Sequence, residues 1–330
     1  MASLPPSSVT PSAAHDVGSD RPPSTGWAQG PPTESVAELL RTLELTISRR
    51  LDGVLHGNIQ GLTPGHGSEP GESRPYQPGD DVRRIDWNVT ARTNETHVRD
   101  QIADRDLVAW LVVDASATMQ FGTVPNDKSQ TALAAAATVG FLTARNQNQL
   151  GAVLVAGRNL RVMPPRQGRN QVRAVLSTIA APPASEGDGR ADLAGALDRV
   201  GAIGKRRGFV AVISDFLGRD WVPALGRVGM RHDLLAITVH DPREYDVPPI
   251  GLVEFEDPAT GAVREVRVTE KVQQRFAAEA AAERAGRLDA LGRAGADTIE
   301  LSTEGDWLGA IVGHVHRRRV QAVRGGVLPR

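Results

Sequence analysis

Leu111 to Met119 reads LVVDASATM. An apolar, β-branched run ends in Asp114, and Ser116 and Thr118 follow at alternate positions, a D-x-S-x-T pattern placed where a buried strand opens into a loop. Carboxylate and hydroxyl oxygens are hard donors, the kind that Mg2+ takes in octahedral geometry while keeping several waters. Three of them on one loop can hold a divalent cation, Mg2+ or Mn2+, with one face left for a carboxylate from another protein. A second acid, Asp215, closes another apolar run, FVAVISD at 209–215. Two hydroxyls and two carboxylates, acting directly or through water, suit such an ion. Asp114 and Ser116 also suit helix capping and loop hydrogen bonding, which need no metal. The chemistry expected is metal-dependent binding without turnover. A metal-dependent hydrolase built on Asp114 and Asp215 would need a general base; none of suitable type lies nearby in sequence, and His97 and His240 are no more than candidates.

Binding sites of open parallel sheets lie beyond the carboxyl ends of the strands, so the surrounding elements decide whether these residues meet. From Leu107 onward, near-continuous apolar strands alternate with helices: strand 107–114, helix 128–145, strands 151–157 and 159–164, helices 168–180 and 191–203, strand 209–215, a helix near 219–229 and strand 233–241. This order predicts an α/β fold, a doubly wound and mostly parallel sheet covered on both faces. Both acid-bearing strands are strongly apolar, which predicts that they are central and leaves them free to be neighbours. Residues 250–268 read as a hairpin around Pro258-Ala259-Thr260-Gly261, followed by an Ala/Glu/Arg-rich helix over 269–294. This hairpin and helix form an insertion, 245–295, before a last strand (297–303) and a last helix (305–318). The sheet domain spans 106–320 and a tail spans 321–330.

The first 33 residues hold seven of the 22 prolines, with many Ser, Ala and Gly, and read as a disordered tail. An amphipathic helix is expected over 34–56, opened by an S-x-x-E capping box of Ser35 and Glu38. Residues 57–105, rich in Gly, Pro and charge, are expected to be extended and irregular, with a turn at Pro78-Gly79-Asp80.

Composition narrows the partners. The 330 residues carry 38 basic and 39 acidic side chains, a formal charge of −1, so nothing points to nucleic acid or an anionic membrane. There is no cysteine, hence no disulfide or thiolate metal site. No apolar run nears the roughly 18 residues of a membrane span, and the N-terminus lacks the order of a signal peptide. A cytoplasmic location is expected. Gly65-His-Gly67-Ser-Glu-Pro-Gly71 has its third glycine one place too far for a dinucleotide loop, and Ser116 lacks the G-x-S-x-G setting of a hydrolase nucleophile.

Four stretches together resemble a known family: Tyr76-Gln-Pro-Gly-Asp-Asp-Val-Arg-Arg-Ile-Asp-Trp87, Ala91-Arg92, Asp114-Ala-Ser-Ala-Thr118-Met119 and Asp241-Pro-Arg-Glu244. The chain resembles the DUF58 proteins, often encoded beside MoxR-type AAA+ ATPases, and more broadly a von Willebrand factor A domain with a metal-ion-dependent adhesion site. The likeness covers roughly residues 55–318 and matches a shorter branch without membrane helices. It implies that Asp114, Ser116 and Thr118 form the first metal loop and Asp215 the acid of the third. The second loop normally brings a threonine. Here Gly189-Arg190-Ala191-Asp192-Leu193 offers Ala191, which has no oxygen, and Asp192 or Asp188 would have to substitute. The resemblance also implies an adaptor working with a MoxR-type AAA+ ATPase in assembly or maturation of other proteins. In the run Arg74 to Arg92, Arg83, Arg84, Asp86, Trp87 and Arg92 form either a partner patch, since Trp and Arg are enriched at binding hot spots, or a network pinning a loop to the domain.

Overall fold

The computed structural model describes residues 33–54, 73–76, 85–93, 95–99, 107–123, 126–145, 148–182, 189–257 and 260–324. The expected disordered tail (all but Thr33), the turn at Pro78-Gly79-Asp80, and Arg83, Arg84 and Asp188 lie outside these residues.

In chain order the elements are α1 (Thr33–Val54), β1 (Ser73–Pro75), α2 (Trp87–Thr93), β2 (His97–Arg99), β3 (Val108–Asp114), α3 (Lys128–Arg145), β4 (Gln149–Ala156), β5 (Asn159–Arg166), α4 (Arg169–Ala180), α5 (Leu193–Ile203), β6 (Phe209–Ser214), α6 (Trp221–Gly229), β7 (Asp233–His240), β8 (Gly251–Glu256), β9 (Val263–Val268), α7 (Glu270–Arg293), β10 (Ala296–Ser302) and α8 (Trp307–Arg324). Six strands form the central sheet in the order β10-β7-β6-β3-β4-β5. All neighbours run parallel except β5, which returns antiparallel beside β4 and forms one edge. Pro164 and Pro165 lie in that edge strand.

Alternation along the strands fills both faces, because successive side chains point to opposite sides. Ala109, Leu111 and Val113 of β3, with Ala211 and Ile213 of β6, join the core under α1, α3, α4 and α8. Trp110 and Val112, with Val210 and Val212, join the core under α5 and α6. Each fully buried Val, Leu or Ile contributes about 1.5–3 kcal/mol, so β3 and β6 are fixed centrally by both layers. Helix α3 comes close to the sheet because Ala132 and Ala134 to Ala137 are small and all buried. Gly151 of β4 lies beside Trp110 of β3, where an added Cβ would meet the indole ring at 2.8 Å.

Three expectations are corrected. Residues 57–105 are not wholly extended: α2 forms at Trp87–Thr93 because the Asp86 carboxylate accepts from the Asn88 and Val89 amides and caps its first turn. Helix α1 begins at Thr33, so Ser35 lies inside its first turn and not at its cap. Helix α8 runs to Arg324, past the expected end at 318, and absorbs the start of the expected tail. The insertion between β7 and β10 has the expected form, an antiparallel β8–β9 hairpin followed by α7.

Candidate functional site

Strands β3 and β6 are hydrogen-bonded neighbours, with Val113 opposite Ile213. Asp114 therefore stands level with Ser214, and Asp215 is one residue beyond, at the same carboxyl end of the sheet. Asp114 accepts on both oxygens: the Ser116 amide donates to Oδ1 at 2.9 Å and the Ser214 hydroxyl to Oδ2 at 2.7 Å. The first of these bends the chain out of β3 into the 3-10 turn Ala117–Gln120. That turn sets the Ser116 and Thr118 hydroxyls 3.0 Å apart. All four side chains are buried. Burial, and then the neighbouring Asp215 charge, push the Asp114 carboxyl up to about 6.

The second loop reaches this turn through its backbone. Gly189, at φ 77°, accepts a hydrogen bond at its carbonyl from the Ala117 amide, 3.0 Å away. That positive φ suits glycine. Ala191 packs its methyl against the core under α5. Asp192 is the N-cap of α5, its carboxylate accepting from the Gly195 amide at 2.8 Å. The cap uses Oδ1 of Asp192.

The residue that sequence reasoning missed is Lys128, the first of α3. Its side chain is 1% exposed, and its Nζ donates to Asp215 Oδ2 at 2.9 Å and to Glu244 Oε1 at 2.6 Å. Burial alone would lower the Lys128 pKa, but the Asp215 and Glu244 charges outweigh it and raise it. A cation at a helix N-terminus opposes the helix dipole. A buried lysine opening a helix thus needs an anionic partner, which the sequence alone does not identify. Glu244 belongs to Asp241-Pro-Arg-Glu244, a capping box in which Glu244 Oε2 accepts the Asp241 amide at 2.9 Å. Asp241 in turn accepts from the Thr123 amide and hydroxyl (2.9 and 2.7 Å) and from the Thr303 hydroxyl (2.9 Å), tying the first loop to the end of β10. Arg287 of α7 donates to the Asp215 carbonyl and to the Tyr245 hydroxyl, both at 2.8 Å.

The sequence profile of the family described as "Protein of unknown function DUF58" matches residues 72–286. The chain belongs to the DUF58 family. Uncharacterized proteins of Mycobacterium tuberculosis and Mycobacterium bovis are each 47% identical to it over 291 residues, 88% of this chain and 92% of theirs. Among solved structures, it is similar to a conserved hypothetical protein BatB from Bacteroides thetaiotaomicron (13% identical, TM-score 0.41, covering 65% of this chain and 99% of that one). It is similar also to an aerotolerance-related membrane protein from Bacteroides fragilis (13% identical, TM-score 0.40, 64% and 99% covered).

The DUF58 match takes in Asp114, Ser116, Thr118, Lys128, Asp215 and Glu244 and stops just before Arg287. In this DUF58 chain the donors present fit a small divalent ion on one side. A hydroxyl pair 3.0 Å apart matches adjacent corners of an octahedron of radius about 2.0–2.1 Å. Two crowded carboxylates are what such an ion would relieve. Lys128 already neutralises one of them. Among the described residues, no three carboxylate or imidazole side chains gather as a cation cage.

The other candidates lie elsewhere. Trp87 is 70% exposed on α2 and Arg92 is exposed on the same helix, while Asp86 is buried as its cap. His97 is buried, its Nδ1 2.7 Å from the Glu95 carbonyl. His240 ends β7 with its Nδ1 buried and without a hydrogen-bond partner among the described residues, its ring edge-on to Tyr245. No helix among the described residues is long and apolar enough to cross a membrane.

Proposed function

We propose that this DUF58 chain is a non-enzymatic protein-interaction module that binds through the crevice at the carboxyl ends of β3 and β6. In this reading the domain is von Willebrand A-like. Ser116 and Thr118 would hold a divalent cation, Mg2+ or Mn2+, by their hydroxyls, while Asp114 and Asp215 would hold its waters. The ion would supply an open coordination position, and a partner's Asp or Glu would fill it. The observation that carries this reading is the meeting of Asp114, Ser116, Thr118 and Asp215 at one sheet end. The partner class suggested by the family resemblance is a MoxR-type AAA+ ATPase, with this chain as adaptor in assembly or maturation of other proteins.

The test is affinity capture with the wild-type chain and Asp114→Ala, each with and without chelator, with a purified MoxR-type ATPase as prey. The reading expects capture by the wild type, its loss in the variant and its loss on chelation, with circular dichroism unchanged. Equal capture in all four arms would refute it.

Exposed Trp87 favours a second reading, in which recognition needs no metal and passes through α2. An aromatic side chain 70% exposed beside exposed Arg92 has the composition of a binding hot spot. Trp87→Ala would then abolish capture and chelator would leave it unchanged. A hydrolase remains the third reading, revived only by metal-dependent turnover in a phosphatase and esterase screen.

A further inference from the structure

We infer that Lys128 is the resident cation of this crevice and sets its affinity for divalent ions, which enter only in competition with its ammonium for Asp215. The inference rests on the crevice reading above and specifies how that site is regulated.

Four observations carry it. Lys128 is sealed from solvent, and both its acceptors are carboxylates. Asp215 Oδ1 already takes the Leu217 amide at 3.3 Å, and Lys128 takes Oδ2. Ala191 carries no side-chain oxygen that could hold an ion against that competition. The two acids also differ in depth, with the Asp215 side chain 5% exposed and that of Glu244 28% exposed.

A divalent ion and an ammonium sharing one carboxylate repel strongly where water is scarce. The ammonium can yield without losing all pairing, because Glu244 offers a second acid nearer the surface and is itself fixed by the Asp241 amide. The crevice then has two arrangements. In one, Lys128 bridges both acids and no ion is needed to hold the loops. In the other, Lys128 retreats to Glu244 and Asp215 turns to the ion.

The test is Mn2+ binding to the full chain, read as loss of the free-Mn2+ paramagnetic resonance signal, together with thermal melting in Mn2+ or chelator. The chains compared are the wild type, Lys128→Met and Lys128→Met/Glu244→Gln. The wild type should bind Mn2+ weakly and melt at the same temperature with chelator. Both variants should bind at least about tenfold more tightly and melt higher with Mn2+ than with chelator. If the single variant does not fold, the double variant carries the same measurement with one fewer unpaired acid. Equal Mn2+ affinity in wild type and double variant overturns the inference. So does tighter binding that survives adding Ser116→Ala to the double variant, since the ion would then sit elsewhere. Equal affinities that Ser116→Ala abolishes leave the crevice reading standing and remove only the role of Lys128. No Mn2+ binding in any chain removes both.

Discussion

The ammonium of Lys128 and the carboxylate of Asp215, 87 residues apart in the chain, meet at 2.9 Å behind almost complete burial. This contact joins the start of α3 to the end of β6, so the two flanks of the crevice are held by charge as well as by packing. Removing one partner of a buried pair costs more than the pair contributes, because the other charge stays desolvated. Lys128→Met should therefore destabilise the fold by about 3–5 kcal/mol. Urea unfolding of wild type and variant reads that difference directly, and adding Glu244→Gln should return part of it.

Stability should also depend on pH through Asp114. Burial and Asp215 raise its folded-state pKa from 3.8 to about 6. Between those values the folded chain binds more protons than the unfolded one, so stability falls as pH rises. The contribution is complete below pH 3.8 and gone above about pH 6, amounting to about 3 kcal/mol. Asp114→Asn should flatten this part of the stability curve, measured as urea midpoints across pH 4 to 7. An unchanged slope would place the titration on another group.

Asp241 should act in the opposite sense. Burial alone would raise its pKa, but hydrogen bonds from the Thr123 amide and hydroxyl, the Arg243 amide and the Thr303 hydroxyl outweigh this and hold it below the usual carboxylate value. A lowered folded-state pKa gives stability that is present above the unfolded value and lost as pH falls through the folded one. Asp241→Ala removes the acceptor for Thr123 and Thr303 and should cost about 1–3 kcal/mol. Its acid-unfolding transition should become shallower than that of the wild type, followed by near-ultraviolet circular dichroism.

Gly151→Ala tests the packing of the sheet. The new methyl would stand 2.8 Å from the Trp110 ring inside a filled layer, so the indole or the strand must shift, at about 1–3 kcal/mol. Trp110 fluorescence should change with the melting temperature. A melting temperature equal to wild type would mean that the layer has room to spare.

The sheet was legible in the amino-acid order because its signals are local. The runs around Leu111 and Val212 are apolar on both faces, and each ends in an acid where the strand must stop. That double burial marks both as central, whereas their adjacency is seen only in the pairing of Val113 with Ile213. The breaks at α2 and α8 were not legible for different reasons. Helix α2 sits in a polar run with β-branched Val89, Thr90 and Thr93 and forms on a single cap, Asp86. At α8, Arg317 to Arg319 resemble the basic last turn of a helix, yet the helix continues to Arg324. Lys128 was hidden because its two acids come from elements 87 and 116 residues away. The role of Asp192 was hidden because a capping carboxylate and a ligating one have the same letter.

The edge strand β5 has a consequence for how copies of this chain meet. Its Pro164 and Pro165 carry no amide hydrogen, so that stretch cannot donate to an added strand. Along these residues the border is guarded against the open-ended stacking that leads to fibrils, and the molecule can be crowded in the cell without its largest sheet growing from this stretch.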